Sequence, residues 1–290
     1  MSRRVLLVQH ITRPRAQMAA QVVLETLQNA GVEVIDAGPD VPEPQLSAED
    51  MTGVDLAIVL GGDGTILRAV ELTRGLDIPI LGVNLGHVGF LAEVESEELV
   101  DTVNRAIAGD FTIEQRVTLE VLVTDPDGTE HRGWALNEAT LEKSERARMV
   151  ELVVGIDGRP LSSFGADGIV IATPTGSTAH AFSGGGPVVW PEVSAMLVVP
   201  LAAHALFARP MVLGPTSVLT VGLLERSISS GIISLDGRRQ LLVPQGGVLS
   251  VCLSDTPVRL ARLSDAPFTD RLVSKFALPV TGWRDRLEEQ

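Results

Sequence analysis

The sequence predicts an N-terminal doubly wound α/β domain followed by a β-rich, β-sandwich-like domain, with a C-terminal segment returning to the first domain. Three observations lead there. Short apolar strands alternate with helically spaced apolar residues as far as residue 114. The apolar spacing then switches to period two, with turn signals at short intervals. A short amphipathic stretch and a polar tail close the chain. The boundaries expected on this pattern are 1–114, 115–264 and 265–290.

In the first part, residues 5–8 read as a buried strand, and residues 17–30 carry Met18, Val22, Val23 and Leu27 at helical spacing. Gly31 suits the C-cap of that helix. Residues 32–35 read as a second strand, and the proline- and acid-rich stretch 38–45 as a surface loop. The strand Val54–Leu60 runs into Gly61-Gly62-Asp63-Gly64-Thr65, and a helical pattern follows from Ile66. Residues 78–83 form another strand, 84–91 a glycine-spaced loop, and 97–108 a helix. Strands alternating with helices imply a parallel sheet that binds ligands beyond the carboxyl ends of its strands. The glycine turn lies at such an end.

In the second part, Asp125-Pro126-Asp127-Gly128, Asp157-Gly158 and Asp236-Gly237 sit between alternating runs, as hairpin turns do. Residues 150–156, 169–172, 218–223, 232–235, 248–253 and 258–263 supply strands. Asn137-Glu138 interrupts another strand, 134–141. Layered sheets follow from this pattern.

Composition narrows the functions available. A 290-residue chain with 45% hydrophobic residues is long and apolar enough for one large or two medium cored domains. A formal net charge of -14 argues against a nucleic-acid or polybasic membrane surface. With lysine only at positions 143 and 275, any positive charge beside a phosphate is expected to be local and to be arginine. The single Cys252 excludes an internal disulfide and reads as a small core residue in a reducing compartment. The apolar run at residues 5–8 is too short for a signal peptide. The longest apolar stretch, 195–208, is broken by Pro200 and His204 and falls short of a membrane span. A cytoplasmic protein is expected.

Gly61-Gly62-Asp63-Gly64-Thr65 organises the chain. A strand, a glycine turn and a helix N-terminus aim backbone N–H groups and the helix dipole at an anion. An aspartate inside such a turn is odd for a pure phosphate cradle and sensible for a base or a metal-linked carboxylate. On these five residues alone, a tight connection with Asp63 as N-cap accounts for the pattern equally well. No glycine precedes either lysine, so there is no Walker A loop, and Leu67 replaces the third glycine of the dinucleotide fingerprint. One cysteine and scattered histidines cannot build a zinc site. A serine-hydrolase elbow and a cysteine-nucleophile context are also absent from the sequence.

Three clusters in the second part are rich in polar chemistry. Asn137 and Glu138 can touch one ligand together only at a bulge or a strand end, because adjacent strand residues face opposite sides. Asp167-Gly168 leads into an apolar strand that ends in Thr173-Pro174-Thr175-Gly176-Ser177-Thr178-Ala179-His180. Four hydroxyls in this segment exceed what one N-cap needs and can supply donors to a polar ligand. Ser183-Gly184-Gly185-Gly186-Pro187 again allows close backbone approach. His204 and Arg209 follow in an apolar setting, where a lone histidine is usually structural.

Taken in order, Gly61–Thr65, Asn137-Glu138, Asp167-Gly168 and 173–179 resemble the signatures of the NAD kinases over almost the whole chain. Arg132-Gly133-Trp134-Ala135-Leu136-Asn137-Glu138 and Ala266-Pro267-Phe268-Thr269-Asp270-Arg271-Leu272-Val273 are similar to stretches of the actinobacterial members. Gly-Gly-Asp-Gly alone is shared with diacylglycerol, sphingosine and 6-phosphofructo-kinases, so the threonine-rich segment with Asn-Glu makes the specific case. The resemblance implies phosphoryl transfer from ATP or inorganic polyphosphate to the 2′-hydroxyl of the adenosine ribose of NAD. It makes Asp63 the general base, with Gly61, Gly62 and Thr65 in the phosphate-donor loop. It places Gly64, Arg68, Asn137, Glu138, Arg148 and Asp167 on NAD, with Thr178, Ala179, His180, Ala181, Phe182 and Ser183 along the nucleotide and Ala202 as a backbone contact. Arg68 is the expected pyrophosphate partner. Magnesium carried mainly by the donor phosphates is implied, with no dedicated protein cage, as is a homodimer or homotetramer through the β-rich half.

Two positions depart from the family pattern. His180 replaces a common tyrosine, offering weaker stacking and possible pH sensitivity, and Ala202-Ala203-His204 replaces Cys-Pro-His. Two further function classes remain open on sequence. A diacylglycerol-type lipid kinase needs an apolar slot, and a non-catalytic dinucleotide sensor has little use for Asp63.

Overall fold

A computed structural model describes residues 3–10, 14–38, 46–47, 49–85, 89–92, 94–95 and 98–280. Most of the loop expected at 38–45, the centre of the 84–91 loop and the polar tail beyond residue 280 lie outside the described residues. The chain forms two compact units: Met1–Gln115 with Val258–Gln290, and Arg116–Pro257.

The first unit begins β1(Arg4–Gln9), α1(Pro14–Asn29), β2(Glu33–Asp36), β3(Val54–Leu60), α2(Asp63–Thr73), β4(Ile80–Asn84), β5(Val94–Glu95) and α3(Leu99–Ala108). β2, β1, β3 and β4 pair in that order, all parallel, with Leu6 beside both Ile35 and Ala57. Strand alternation puts Val5, Leu7, Leu56, Ile58 and Leu60 on one face with α1 (Val23, Leu27) and α3 (Val103, Ala106). Leu6, Val8, Ala57 and Val59 point the other way and are equally buried. α2, in contact with β1, β3 and β4, buries Ile66, Ala69 and Val70. Both faces being covered explains why these strands read as continuous apolar runs. Gly31 takes φ 70° after α1, as the C-cap assignment requires.

The second unit contains β6(Thr112–Thr124, entering at Arg116), β7(Glu130–Ala135), β8(Glu138–Lys143), β9(Val150–Ile156), β10(Arg159–Ala166), β11(Gly168–Ala172), a 3₁₀ turn at Thr175–Thr178 and a short α4(His180–Ser183). β12(Met196–Leu201), β13(Met211–Leu213), β14(Leu219–Leu223), β15(Gly231–Leu235), β16(Arg239–Val243) and β17(Val248–Arg262) follow. One sheet runs β13-β12-β11-β8-β15-β16, and β10-β9-β14-β17 pair in a second. Val121, Leu152, Val221 and Leu249 meet Leu141, Ile171, Val198 and Ile233 in one core, the signature of a sandwich. The outer face of β11 and β12 (Val170, Ala172, Leu197, Val199) is covered by Ala181 of α4. This fixes the polar 173–183 segment over the first sheet.

Several local expectations change. Residues 248–253 and 258–263 belong to the single strand β17, because Ser254 to Pro257 continue the extended backbone. Cys252 is only half-buried there, and burial together with Glu120 and Asp255 raises its thiol's pKa. Asp157-Gly158 and Asp236-Gly237 each pair two positive φ angles (52° and 73°, 54° and 66°), the hairpin turn their sequence indicates. The final amphipathic stretch is α5(Phe268–Phe276), in the first unit.

Candidate active site

In the first unit, Asp63 is the opening residue of α2, directly beyond the carboxyl end of β3. Gly62 occupies the N-cap with extended backbone and no capping side chain. Asp63 therefore does not cap its own helix. Its carboxylate accepts the N–H of Phe90 at Oδ2 and of Leu91 at Oδ1, each at 3.2 Å. The carbonyls of the same two residues are held from behind. Arg271 Nη1 donates to Phe90 O at 3.4 Å and Arg262 Nη1 to Leu91 O at 3.2 Å. The Phe90 ring lies 5.8 Å from that of Phe268 and 5.9 Å from that of Phe276. A carboxylate fixed by two backbone donors keeps lone pairs able to accept further hydrogen bonds.

Gly61 and Thr65 are buried, while Gly62 and Gly64 leave the turn open. The N–H of Thr65 is already bonded to Gly62 O at 2.9 Å. Arg68 is committed elsewhere: it is buried, and its Nη2 donates to the carbonyls of Ala37 and Gly38, both at 2.8 Å. In this conformation it braces the chain after β2.

In the second unit, β7 ends at Ala135 and β8 begins at Glu138, so the Asn137-Glu138 irregularity is real. Its cause is Asp236, at the turn after β15. The Asp236 carboxylate accepts the N–H groups of Leu136 (2.9 Å), Asn137 (2.6 Å) and Glu138 (3.3 Å). Arg239 Nη2 donates to its Oδ2 at 3.1 Å, and the Arg239 guanidinium stacks 3.9 Å over the Trp134 ring. Glu138 is buried, and its Oε2 accepts the His180 N–H at 3.4 Å. Burial and, second, the neighbouring Asp236 push the Glu138 carboxyl up to about 7. Asp236 is itself raised by burial, against the pull of its three backbone donors and Arg239.

His180 Nδ1 lies 3.2 Å from Thr140 Oγ1, which orients the ring that stands in the tyrosine position. The hydroxyls of 173–178 are largely engaged inside the protein. Thr173 Oγ1 donates to Leu136 O at 2.6 Å, and Ser177 Oγ exchanges bonds with Val189. Thr175 Oγ1 accepts from Arg116 at 3.3 Å, and Thr178 Oγ1 donates to Thr175 O at 3.4 Å. Thr173 ties the segment to residues 136–137, and the other three hydroxyls hold it to Val189, to Arg116 and to itself.

Asp167 is ion-paired with Lys143, a partner that sequence spacing does not suggest. Arg148 is exposed, Thr178, Ala179 and His180 are half-buried, and Ala181 is buried. Phe182 and Ser183 are exposed, as is Ala202, which sits at φ 46°. Besides Lys143, the partners that sequence reasoning did not find are Phe90 and Leu91, which act through backbone, and Asp236 and Thr140. Only Asp236 left a trace, as part of a turn signal.

A carboxylate at a glycine-rich helix N-terminus beyond a parallel sheet, in a chain whose β-sandwich carries a cluster of polar and acidic side chains, is the equipment of a nucleotide phosphotransferase. The model of the ATP-NAD kinase N-terminal domain matches residues 18–111, and that of the ATP-NAD kinase C-terminal domain residues 136–263. The NAD kinase of Thermobifida fusca is 52% identical over 100% of this chain and 94% of its own length. That of Leifsonia xyli subsp. xyli is 51% identical over 97% of each. That of Mycobacterium leprae is 49% identical over 98% of this chain and 87% of its own. The solved structure of an NAD kinase from Archaeoglobus fulgidus in complex with ATP aligns with TM-score 0.74 and 25% identity, covering 96% of this chain and 100% of that one. Yeast NADH kinase complexed with NADH gives TM-score 0.86 over 97% of this chain and 89% of that one; at 24% identity it speaks for the fold. The chain belongs to the NAD kinase family. It is a phosphotransferase, and NAD is its acceptor. The lipid-kinase and sensor alternatives fall with that result.

Proposed function

We propose that Asp63 is the general base of this NAD kinase. The adenosine 2′-hydroxyl of NAD gives its proton to the Asp63 carboxylate as its oxygen attacks the terminal phosphorus of the donor. The P–O bond to the leaving phosphate chain breaks, and NADP is released. Such transfer needs positioning and charge neutralisation more than covalent help. The observation that carries this reading is the Asp63 carboxylate held by two backbone N–H groups at the start of α2. Gly61, Gly62, Gly64 and Thr65 present the turn to the donor phosphates.

The donor is ATP or inorganic polyphosphate. Among the described residues no group of three or more His, Cys, Asp or Glu is arranged to hold a metal ion. One carboxylate beside a phosphate turn fits an ion carried mostly by phosphate oxygens. Magnesium bound in that way neutralises phosphate charge, and Asp63 is the protein group that would face it.

On the second unit, Asn137 and Glu138 are assigned to NAD, with Asp167, His180 and the backbone of residues 178–183 along the nucleotide. Arg148 and Ala202 are its outer contacts. Arg68, on the helix after the glycine turn, is assigned to the pyrophosphate, which it would reach by exchanging its bonds to the Ala37 and Gly38 carbonyls. Among the described residues no helix is long and apolar enough to cross a membrane, and the proposed setting is the cytoplasm. A homodimer or homotetramer through the β-rich half is proposed from family resemblance, and light scattering measures it.

The experiment is NADP formation from NAD, Mg²⁺ and either ATP or polyphosphate, for wild type and Asp63→Asn. A fall on the order of 10²-fold or more with NAD affinity retained supports the base assignment. Turnover by Asp63→Asn close to wild type rejects it, and the two donor arms identify the phosphoryl source.

A further inference from the structure

Sequence patterning accounts for Asp236 only as the first residue of a hairpin turn. Asn or Gly would fill such a position at φ 54° as readily. The contacts ask for more. Three successive N–H groups, from Leu136, Asn137 and Glu138, converge on one buried carboxylate. In a regular strand successive N–H groups point to opposite edges, so this convergence requires the kinked backbone of an anion nest. The carboxylate is the nest's built-in anion. Asp236 also donates its own N–H to Glu138 O at 2.9 Å, closing the clamp from the other side. An asparagine would turn an NH₂ toward one of the three donors, and a glycine would satisfy none.

We propose that Asp236 is a positioning residue for NAD binding, fixing the 136–138 backbone so that the Asn137 carboxamide and the Glu138 carboxylate are presented together. The inference rests on the assignment of those two side chains to NAD. Without the clamp, strand alternation would send them to opposite faces of β8. Two neighbours reinforce the arrangement. Thr173 N donates to Asn137 O at 2.9 Å, and Arg239 anchors Asp236 Oδ2 at 3.1 Å.

The clamp also has an electrostatic consequence. The groups facing Glu138 are the Asp236 carboxylate at the end of β15, with Arg239 of β16 behind it, and the N–H of His180 in α4, whose ring is tied to Thr140. The Asp236 charge favours the protonated form of Glu138, so removing it lets Glu138 ionise at lower pH.

The test measures NAD affinity by calorimetry and NADP formation across the pH range on both sides of neutrality. Asp236→Asn is expected to raise Kd and KM for NAD on the order of tenfold, the effect of one misdirected buried donor, with a smaller change in kcat. Because the site presents Glu138 to NAD as a carboxylate, removing the Asp236 charge is also expected to move the acidic limb of the NAD-affinity profile to lower pH. The KM-against-kcat split is the readout that a purely structural residue would not give. If that variant fails to fold, Arg239→Gln decides. It keeps the carboxylate, removes the cation that anchors it, and is expected to weaken NAD several-fold. Wild-type Kd and an unmoved limb in Asp236→Asn, or wild-type Kd in Arg239→Gln where that variant decides, overturn the proposal if Asn137→Ala and Glu138→Gln do weaken NAD. If those two bind NAD as wild type does, the underlying assignment fails first, and the positioning role fails with it.

Discussion

Gly89 and Asp63 occupy one space: a Cβ on residue 89 would overlap Asp63 Oδ1 and stand 3.1 Å from its Cγ. The glycine is there because the carboxylate must reach the N–H groups of Phe90 and Leu91 immediately beyond it. Gly89→Ala is therefore expected to swing the carboxylate off both donors. Misplacement of a reacting group by about 1 Å can cost on the order of 10²-fold in rate. Steady-state kinetics should show kcat falling by about that factor with KM for NAD little changed. A wild-type kcat would mean that the two backbone bonds do not set the position of the base.

Glu138 links the second unit's stability to pH. Its carboxyl is raised from 4.5 to about 7, so between these values the folded state binds a proton that the unfolded state has released. Stability then falls as pH rises through that window, and the contribution present below pH 4.5 is gone above about pH 7. The shift corresponds to about 3 kcal/mol. Glu138→Gln removes the titration and should raise the melting temperature at pH 8 while leaving it almost unchanged near pH 5. Parallel melting curves of the two proteins across that range would show that Glu138 is not buried against a second carboxylate.

The sequence pattern reveals the architecture well because burial on both faces makes the centres of β1, β3 and β4 continuous apolar runs, whereas the sandwich strands alternate. It places Asp63 because a strand, a glycine turn and a helix lie consecutively in the chain. The environment of Asp63 is not legible in that way. Its donors are backbone N–H groups 27 and 28 residues away, and backbone atoms leave no mark on residue identity. Asp236 lies 98 to 100 residues from the N–H groups it accepts, and a turn explained it sufficiently. Arg68 sits where the helix after the phosphate turn places it, but the loop carbonyls of Ala37 and Gly38 that hold its guanidinium left no sign in the sequence.

Gly176 meets Asn137 backbone to backbone, and a Cβ there would overlap the Asn137 carbonyl and stand 2.8 Å from its Cα. Neither chain can yield easily, since Asn137 is held by Asp236 and by Thr173 N. Gly176→Ala is expected to destabilise the fold by about 1–3 kcal/mol through overpacking. It should also raise KM for NAD on the order of tenfold, because the displaced residue is one of the proposed ligand contacts. Denaturant unfolding and NAD titration of the same preparation separate the two effects. A stability loss without a change in KM would confine Asn137 to a structural role.

The carbonyls of Phe90 and Leu91 give a last way to reach Asp63 without touching it. Arg271 of α5 holds the first and Arg262 of β17 the second. The two arginines differ in what else they support. Arg262 is buried and ion-paired with Glu114, so Arg262→Ala leaves a carboxylate without its partner and should lower stability along with activity. Arg271 belongs to a helix with no buried residue, and Arg271→Ala should leave the melting temperature within a few degrees. Its expected effect is a several-fold loss of kcat at unchanged KM, because the Phe90 carbonyl then loses the guanidinium that holds it from behind the Asp63 bond. Combining Arg271→Ala with Gly89→Ala supplies the decisive comparison. Once the carboxylate has left its donors, loosening those donors should cost almost nothing more, so the double variant should match Gly89→Ala alone. Fully multiplicative losses would place Arg271 on a route to activity that does not pass through Asp63.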